Sequence, residues 1–215
     1  MPSILIALMS PPAVAPAFGH LPPVYKFSEE ARSRGYRVIW CCSKAMVSKI
    51  AGNYPQDKIR SYPNATFMGT SRLIQPLFRR ILSADIPQSM LPQATNEKNY
   101  EWLFDSFVAV GFDEEKFFFP AIETILRALI EFEPDALCTY GCPVGLTAGY
   151  ISGVPTVTFD NLMRLRNEGG DSYRSMNETV QKAMNIYAPS EIEYVLLEDI
   201  IRNDDQFRIL STIQH

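Results

Sequence analysis

Glycine is missing where a dinucleotide-binding protein needs it. The loop after the first apolar run, Ser10 to Gly19, holds three prolines and no glycine before its last position. A G-x-G-x-x-G turn therefore does not occur there, and the commonest oxidoreductase reading is removed. Histidine is scarcer still: His20 and the terminal His215 are the only two. Any histidine chemistry falls to His20. Cysteine occurs four times, as Cys41, Cys42, Cys138 and Cys142, with no Cys-x-x-Cys spacing. A zinc site needs ligands clustered in space, and a disulfide framework is not expected in a chain this size. Adjacent Cys41 and Cys42 on a strand would point to opposite faces, so buried thiols are the expectation.

Positive charge is not in excess. Lys and Arg number 20 against 24 Asp and Glu, for a net charge of −4 and a pI near 5.3. That balance argues against a nucleic-acid partner. No run approaches the roughly 18 apolar residues of a membrane span. No basic stretch precedes the first apolar run, so a secretory signal is not expected and a cytoplasmic location is. There is no internal repeat and no low-complexity linker, which leaves one domain over 1–215.

What is present alternates. Ile4–Met9 is an almost wholly apolar run, the pattern of a parallel strand covered on both faces. Leu21, Val24, Phe27 and Ala31 recur at helical spacing over 21–34, with Pro22 and Pro23 tolerable in a first turn and Gly35 as a stop. Tyr36–Cys41 reads as a second strand, and Ser43 can cap a short helix through Ile50. Ile59–Tyr62 reads as a short third strand. Residues 63–97 are the least regular, with a helix around 71–82. Helices follow over 99–110 and 114–132, then a strand at Ala136–Tyr140. Pro143–Ser152 is helical, and its Gly145, Ala148 and Gly149 permit close packing on a sheet. Thr156–Phe159 is a strand ending at Asp160, and 161–171 a polar loop. A helix over 172–184, a short strand over 185–188, a turn of helix with Ser190 and Glu193 as a capping box, and a last strand at Phe207–Leu210 complete the reading. Strands alternating with helices predict an α/β, Rossmann-like doubly wound parallel sheet with helices on both faces.

Several polar clusters have ordinary structural readings. Asp135 belongs to the turn before its strand, and Asp113-Glu114-Glu115 reads as a solvated helix start favoured by the helix dipole. Asp204-Asp205 reads as a surface turn, and Phe117-Phe118-Phe119 as core. His20 stands apart, because it sits where the first strand's loop turns into the first helix. In an open α/β sheet that place is the crevice where ligands bind.

Five segments together resemble a known family. They are Gly19-His20-Leu21-x-Pro23 after the first strand, Arg34-Gly35-Tyr36-Arg37-Val38 before the second, and Pro134-Asp135 and Ser152-Gly153-Val154-Pro155 before two later ones. The fifth is Ala188-Pro189-Ser190-x-Ile192-Glu193-Tyr194 near the end of the chain. In order and spacing they are similar to the N-terminal half of GT-B glycosyltransferases, in the nucleotide-sugar-dependent group of macrolide and plant natural-product enzymes. The resemblance implies two Rossmann-like domains across a cleft, the N-terminal one holding a small-molecule acceptor and the catalytic base. The C-terminal, donor-binding domain would lie outside this chain, whose last residue stands where the family's linker begins.

The resemblance further implies His20 as general base and an inverting displacement on a UDP- or dTDP-sugar, with no metal and no cofactor on this domain. In the family an aspartate six residues after the proline of Pro-Asp orients the histidine. Here that position is Tyr140, whose phenol can hydrogen-bond an imidazole but carries no negative charge at pH 7. Asp160, at the end of the next strand, is the candidate substitute. Two alternatives stay open: a subunit that needs a separate donor-binding chain, and an α/β binding module without chemistry.

Overall fold

The computed structural model describes residues 1–8, 21–64, 111–140, 142–159, 171–188 and 207–209, with the backbone alone at 21–23, 140, 159, 171–173 and 207–209. Six parallel strands form one sheet. They are β1 (Ser3–Leu8), β2 (Arg37–Ser43), β3 (Lys58–Tyr62), β4 (Ala136–Tyr140), β5 (Thr156–Phe159) and β6 (Phe207–Ile209), in the order β3-β2-β1-β4-β5-β6. The predicted doubly wound sheet is therefore present, and its order reverses between β1 and β4. Helices α1 (Leu21–Ser33) and α2 (Lys44–Asn53) cover one face. Helices α3 (Glu115–Phe132), α4 (Pro143–Ser152) and α5 (Asp171–Tyr187) cover the other.

Strand alternation sorts the core. Leu5, Ala7, Ile39, Cys41 and Leu137 face α3, α4 and α5. Ile4, Ile6, Val38, Trp40, Cys42 and Cys138 face α1 and α2. Cys41 and Cys42 thus lie on opposite faces, as their adjacency requires. All six residues of β1 are buried, and each fully buried Leu or Ile contributes about 1.5–3 kcal/mol over exposure. Phe117 and Phe118 are core, with Phe119 packed at its edge.

Local chemistry explains the element ends. Gly35 takes the left-handed conformation, φ 83°, and its N–H donates to the Arg32 carbonyl at 2.9 Å, which closes α1. Ser43 stands at the N-terminus of α2 but makes no side-chain cap bond there. Asn64 Oδ1, from just beyond β3, accepts from the Ala45 N–H at 2.9 Å instead. One expected element is corrected: the segment over 185–188 is not a strand, because α5 runs on through Tyr187. Met176, Val180, Ala183 and Met184 form its buried stripe, and Tyr187 continues the same helical spacing. Ile186, within that segment, points outward at 55% exposure. The expected helices over 71–82 and 99–110, the Ser190–Glu193 capping box and Asp204-Asp205 lie outside the described residues.

Helix α4 approaches the sheet closely. Pro143 to Gly149 are all buried. A β-carbon at Gly145 would stand 2.8 Å from Thr139 Cγ2 and 3.1 Å from Ala7 Cβ, so only glycine fits. On the opposite face a polar and aromatic knot ties α1, β2 and the turn before β3. Asp57 Oδ2 accepts from Trp40 Nε1 at 2.7 Å and pairs with Arg32. The Arg32 guanidinium lies 4.0 Å from the Tyr54 ring centre, and Tyr54 stacks on Trp40 with centroids 5.7 Å apart. Tyr25 meets both rings edge-on.

The Asp57 carboxylate is only 6% exposed, so removing it strands a buried indole N–H and an uncompensated guanidinium. Asp57→Ala is expected to cost about 3 kcal/mol of unfolding free energy by urea titration. Glu131→Ala, which breaks the half-exposed pair with Arg60, should cost under about 1 kcal/mol. Equal losses from the two variants would contradict the account of the knot.

Candidate functional site

The carboxyl edge of the sheet is the place to build a site. Each strand that leads into a helix there delivers the helix N-terminus to the same edge, and the unpaired N–H groups of the first turns give it partial positive potential. Helix α4 shows how the local sequence does this. Cys142 caps it, its Sγ accepting from the Gly145 N–H at 3.2 Å and its carbonyl accepting from the Leu146 N–H at 3.0 Å. Pro143, which has no N–H to satisfy, takes the first helical position.

Register sets the row along that edge. Leu8, the last residue of β1, pairs with Cys42 on one side and Tyr140 on the other. Tyr140 in turn pairs with Phe159. The backbone of Tyr140 is therefore at the reversal point, beside the strand that leads to the His20 loop. His20 lies outside the described residues, as do Asp160 and His215. Their described chain neighbours are Leu21, which opens α1, and Phe159, which closes β5. The Tyr140 side chain is likewise not described.

One residue behind the row, Thr139 and Thr158 are paired across β4 and β5. Both are fully buried, and neither hydroxyl has a hydrogen-bond partner among the described residues. Nothing in the sequence distinguishes these two threonines from their neighbours. At the opposite, amino edge Asp135 acts as the turn residue expected of it. Its Oδ2 accepts from the Ser3 N–H at 2.7 Å, while its own N–H donates to the Ser3 carbonyl at 2.9 Å.

The carboxylate run at the start of α3 is partnered, not merely solvated. Asp113 Oδ2 accepts from Ser175 Oγ at 2.5 Å, and the Asp113 carbonyl accepts from Thr179 Oγ1 at 2.7 Å. Glu115 pairs with Lys182 at 2.7 Å and Glu114 with Lys116 at 2.8 Å. These residues line an open, polar cavity of ≈ 390 Å³ between α3 and α5. Its lining carries four carboxylates, Asp113, Glu114, Glu115 and Glu178, against two lysines, Lys116 and Lys182. Among the described residues no three His, Cys, Asp or Glu side chains converge as a metal site, and no helix is long and apolar enough to cross a membrane.

The thiols are chemically quiet. All four cysteines are buried. Burial pushes the Cys42 thiol up to about 12 and holds Cys41 and Cys138 higher still, with Cys42 and Cys142 adding to the rise at Cys41. None of these three is a nucleophile near neutral pH.

The fold and the site edge define a class: a Rossmann-like α/β domain whose strand order reverses between β1 and β4. No protein-family model matches the chain, and no curated protein matches it in sequence. Solved structures do match in fold. The glycosyltransferase VinC, in complex with dTDP, superposes with a TM-score of 0.54 over 97% of this chain and 49% of its own, at 9% identity. The glycosyltransferase SnogD from Streptomyces nogalater superposes with a TM-score of 0.51 over 99% of this chain and 45% of its own, at 14% identity. The chain thus spans about half the length of these structures. It shares its fold with GT-B glycosyltransferases of the natural-product type.

The raised thiols make stability depend on pH. The folded-state values lie above those of the unfolded chain, so the contribution is complete below about pH 8.5 and is lost as pH rises. Urea unfolding between pH 8 and 9.5 should show stability falling by about 1 kcal/mol per pH unit for each such thiol. The Cys42→Ala/Cys138→Ala double variant should flatten that slope. Ellman's reagent should label these cysteines only after denaturation. Rapid labelling of the native protein would refute their assignment as inert.

Proposed function

We propose that this chain is the N-terminal, acceptor-binding domain of a cytoplasmic GT-B glycosyltransferase, with a separate C-terminal domain holding the nucleotide sugar. The observation that carries the reading is the strand-order reversal between β1 and β4, because His20 lies in the one connection that leaves β1 at that point. The length of the match to VinC and SnogD, close to half of each, supports a missing donor half. The dTDP bound to VinC supports a dTDP- or UDP-sugar as the co-substrate.

In the proposed reaction the His20 imidazole takes the proton of an acceptor hydroxyl as its oxygen attacks the anomeric carbon. The nucleoside diphosphate leaves from the opposite side, so the configuration inverts. An imidazole with an ordinary value near 6.5 is deprotonated enough to serve at neutral pH. Residues 63–120 and 161–171 would contact the small-molecule acceptor, since variable segments over a rigid sheet carry specificity. Tyr140 takes the family's aspartate position, and a neutral phenol cannot balance the charge on an imidazolium. Asp160, next to Phe159 in the same edge row, is the carboxylate proposed to do so.

A second reading is a binding module with this fold and no chemistry, and Tyr140 is the residue that favours it. Sugar transfer by the enzyme with its donor half restored separates the two. His20→Ala is expected to lower kcat by about 10²- to 10⁴-fold. Tyr140→Asp is expected to raise kcat, and Asp160→Asn to lower it. Equal transfer with and without the imidazole would remove His20 as the base, and no transfer by any variant or the parent would favour the binding module.

A further inference from the structure

Helix α3 turns one face to solvent. Lys116, Glu123, Arg127 and Ile130 recur at helical spacing on one side of it, and all four are exposed. The core residues Phe117, Ala121, Ile125 and Ala128 lie on the other side. Ile130 is 77% exposed, the most of any large apolar side chain within the described helices and strands. One exposed isoleucine is ordinary; the charges around it are what distinguish this face. Glu123 and Arg127 lie one turn apart, with Arg127 Nη2 at 3.6 Å from Glu123 Oε2, and their side chains are 48% and 81% exposed. Tyr187 Oη donates to the other oxygen, Glu123 Oε1, at 3.2 Å and holds the carboxylate in place. A long, exposed pair of this kind contributes little within its own chain.

The pattern is self-complementary. In an antiparallel pair of α3 helices on a two-fold axis at the level of Ile125, residues equally far from Ile125 on either side face each other. Glu123 then meets Arg127 of the second copy, and Arg127 meets its Glu123. Ile130 lies over Pro120 of the second copy, which is half-buried and on the same side of the helix. We propose that the outward face of α3 docks a second copy of this chain in this arrangement. The symmetry uses each ion pair twice, and helix axes about 8–10 Å apart leave room for side chains of this length. Because Tyr187 already orders Glu123, less freedom is lost when the pair forms. One helix face is small, so the association belongs to the weak, transient class.

Sedimentation velocity on the full chain, from about 10 µM to about 1 mM, reads the association. The parent should shift towards a dimer across that range. Glu123→Arg and Arg127→Glu each set like charges against one another across the axis, and each should weaken association about tenfold or more. An equimolar mixture of the two variants restores opposite charges at both pairs and should associate as the parent does. Ile130→Glu should also weaken association about tenfold or more, while Ile186→Glu, on the exposed side of α5, should leave it unchanged. All these changes fall on exposed side chains, so each variant should keep its native far-UV circular dichroism. A parent that stays monomeric to about 1 mM overturns the proposal, and so does a mixture that fails to recover what the single variants lose. Loss of association with Ile186→Glu but not with Ile130→Glu assigns the contact to α5 and overturns it too. The enzyme with its donor half restored should associate through the same residues. A monomer indifferent to them gives this face to the donor half and refutes docking of a second copy.

Discussion

The parallel pairing of β1 between β2 and β4 is the constraint on which the rest depends. A strand flanked on both sides and covered on both faces has no freedom of register, since a slip of one residue would turn its apolar side chains against the wrong helices. The ends are fixed separately. At the amino end, Asp135 and Ser3 exchange two hydrogen bonds, and the Arg37 N–H donates to the Pro2 carbonyl at 2.8 Å. At the carboxyl end, Tyr62 holds the Leu8 carbonyl. Neighbouring strands β2 and β4 lead into helices on opposite faces, which makes the end of β1 the strand-order reversal where an open α/β sheet takes its ligands.

The two helical layers support that strand by different physics. On the α3, α4 and α5 face the contact is apolar and close, and the absent side chain of Gly145 is what lets α4 settle onto Ala7 and Thr139. Displacing α4 there would lose dispersion contacts across the whole interface. On the α1 and α2 face a carboxylate does the tying. Asp57 gathers Trp40 from β2 and Arg32 from α1, while Tyr54 fills the space between them. A buried acid with two donors is specific in a way that an apolar contact is not, because only one arrangement satisfies all three groups.

Much of the architecture was legible in the sequence because it is written in short-range period. The apolar run at 4–8, the stop at Gly35 and the small residues of α4 each report on their own element. What was not legible depends on partners distant in the chain. Asp57 looks like any turn acid until Trp40 is placed 17 residues back and beside it. Tyr62 looks like a strand end until Leu8, 54 residues away, is brought under its hydroxyl. Asn64 takes over a cap that the local pattern assigns to Ser43. The strand expected over 185–188 failed for a related reason: its β-branched Ile186 is a surface residue of a helix whose stripe is set by Met176, Val180 and Tyr187. For the site, sequence position alone put Tyr140 at the end of its strand, where the register pairs it with Leu8, while His20 lies outside the described residues. The second anchor of that edge, Tyr62, comes from tertiary contact.

The groups described at the carboxyl end of β1 also bear on how a histidine there would behave. Tyr62 and Cys42 are held neutral by burial. The described helix N-termini at that edge contribute positive potential. Positive potential disfavours any imidazolium placed near it. The same potential opposes the charge that the ring acquires once it has taken a proton. A nearby carboxylate offsets that potential: it stabilises the imidazolium and raises the ring's proton affinity by the same free energy. On the proposed reading that part falls to Asp160, which follows Phe159 in sequence, because a neutral phenol at 140 cannot play it.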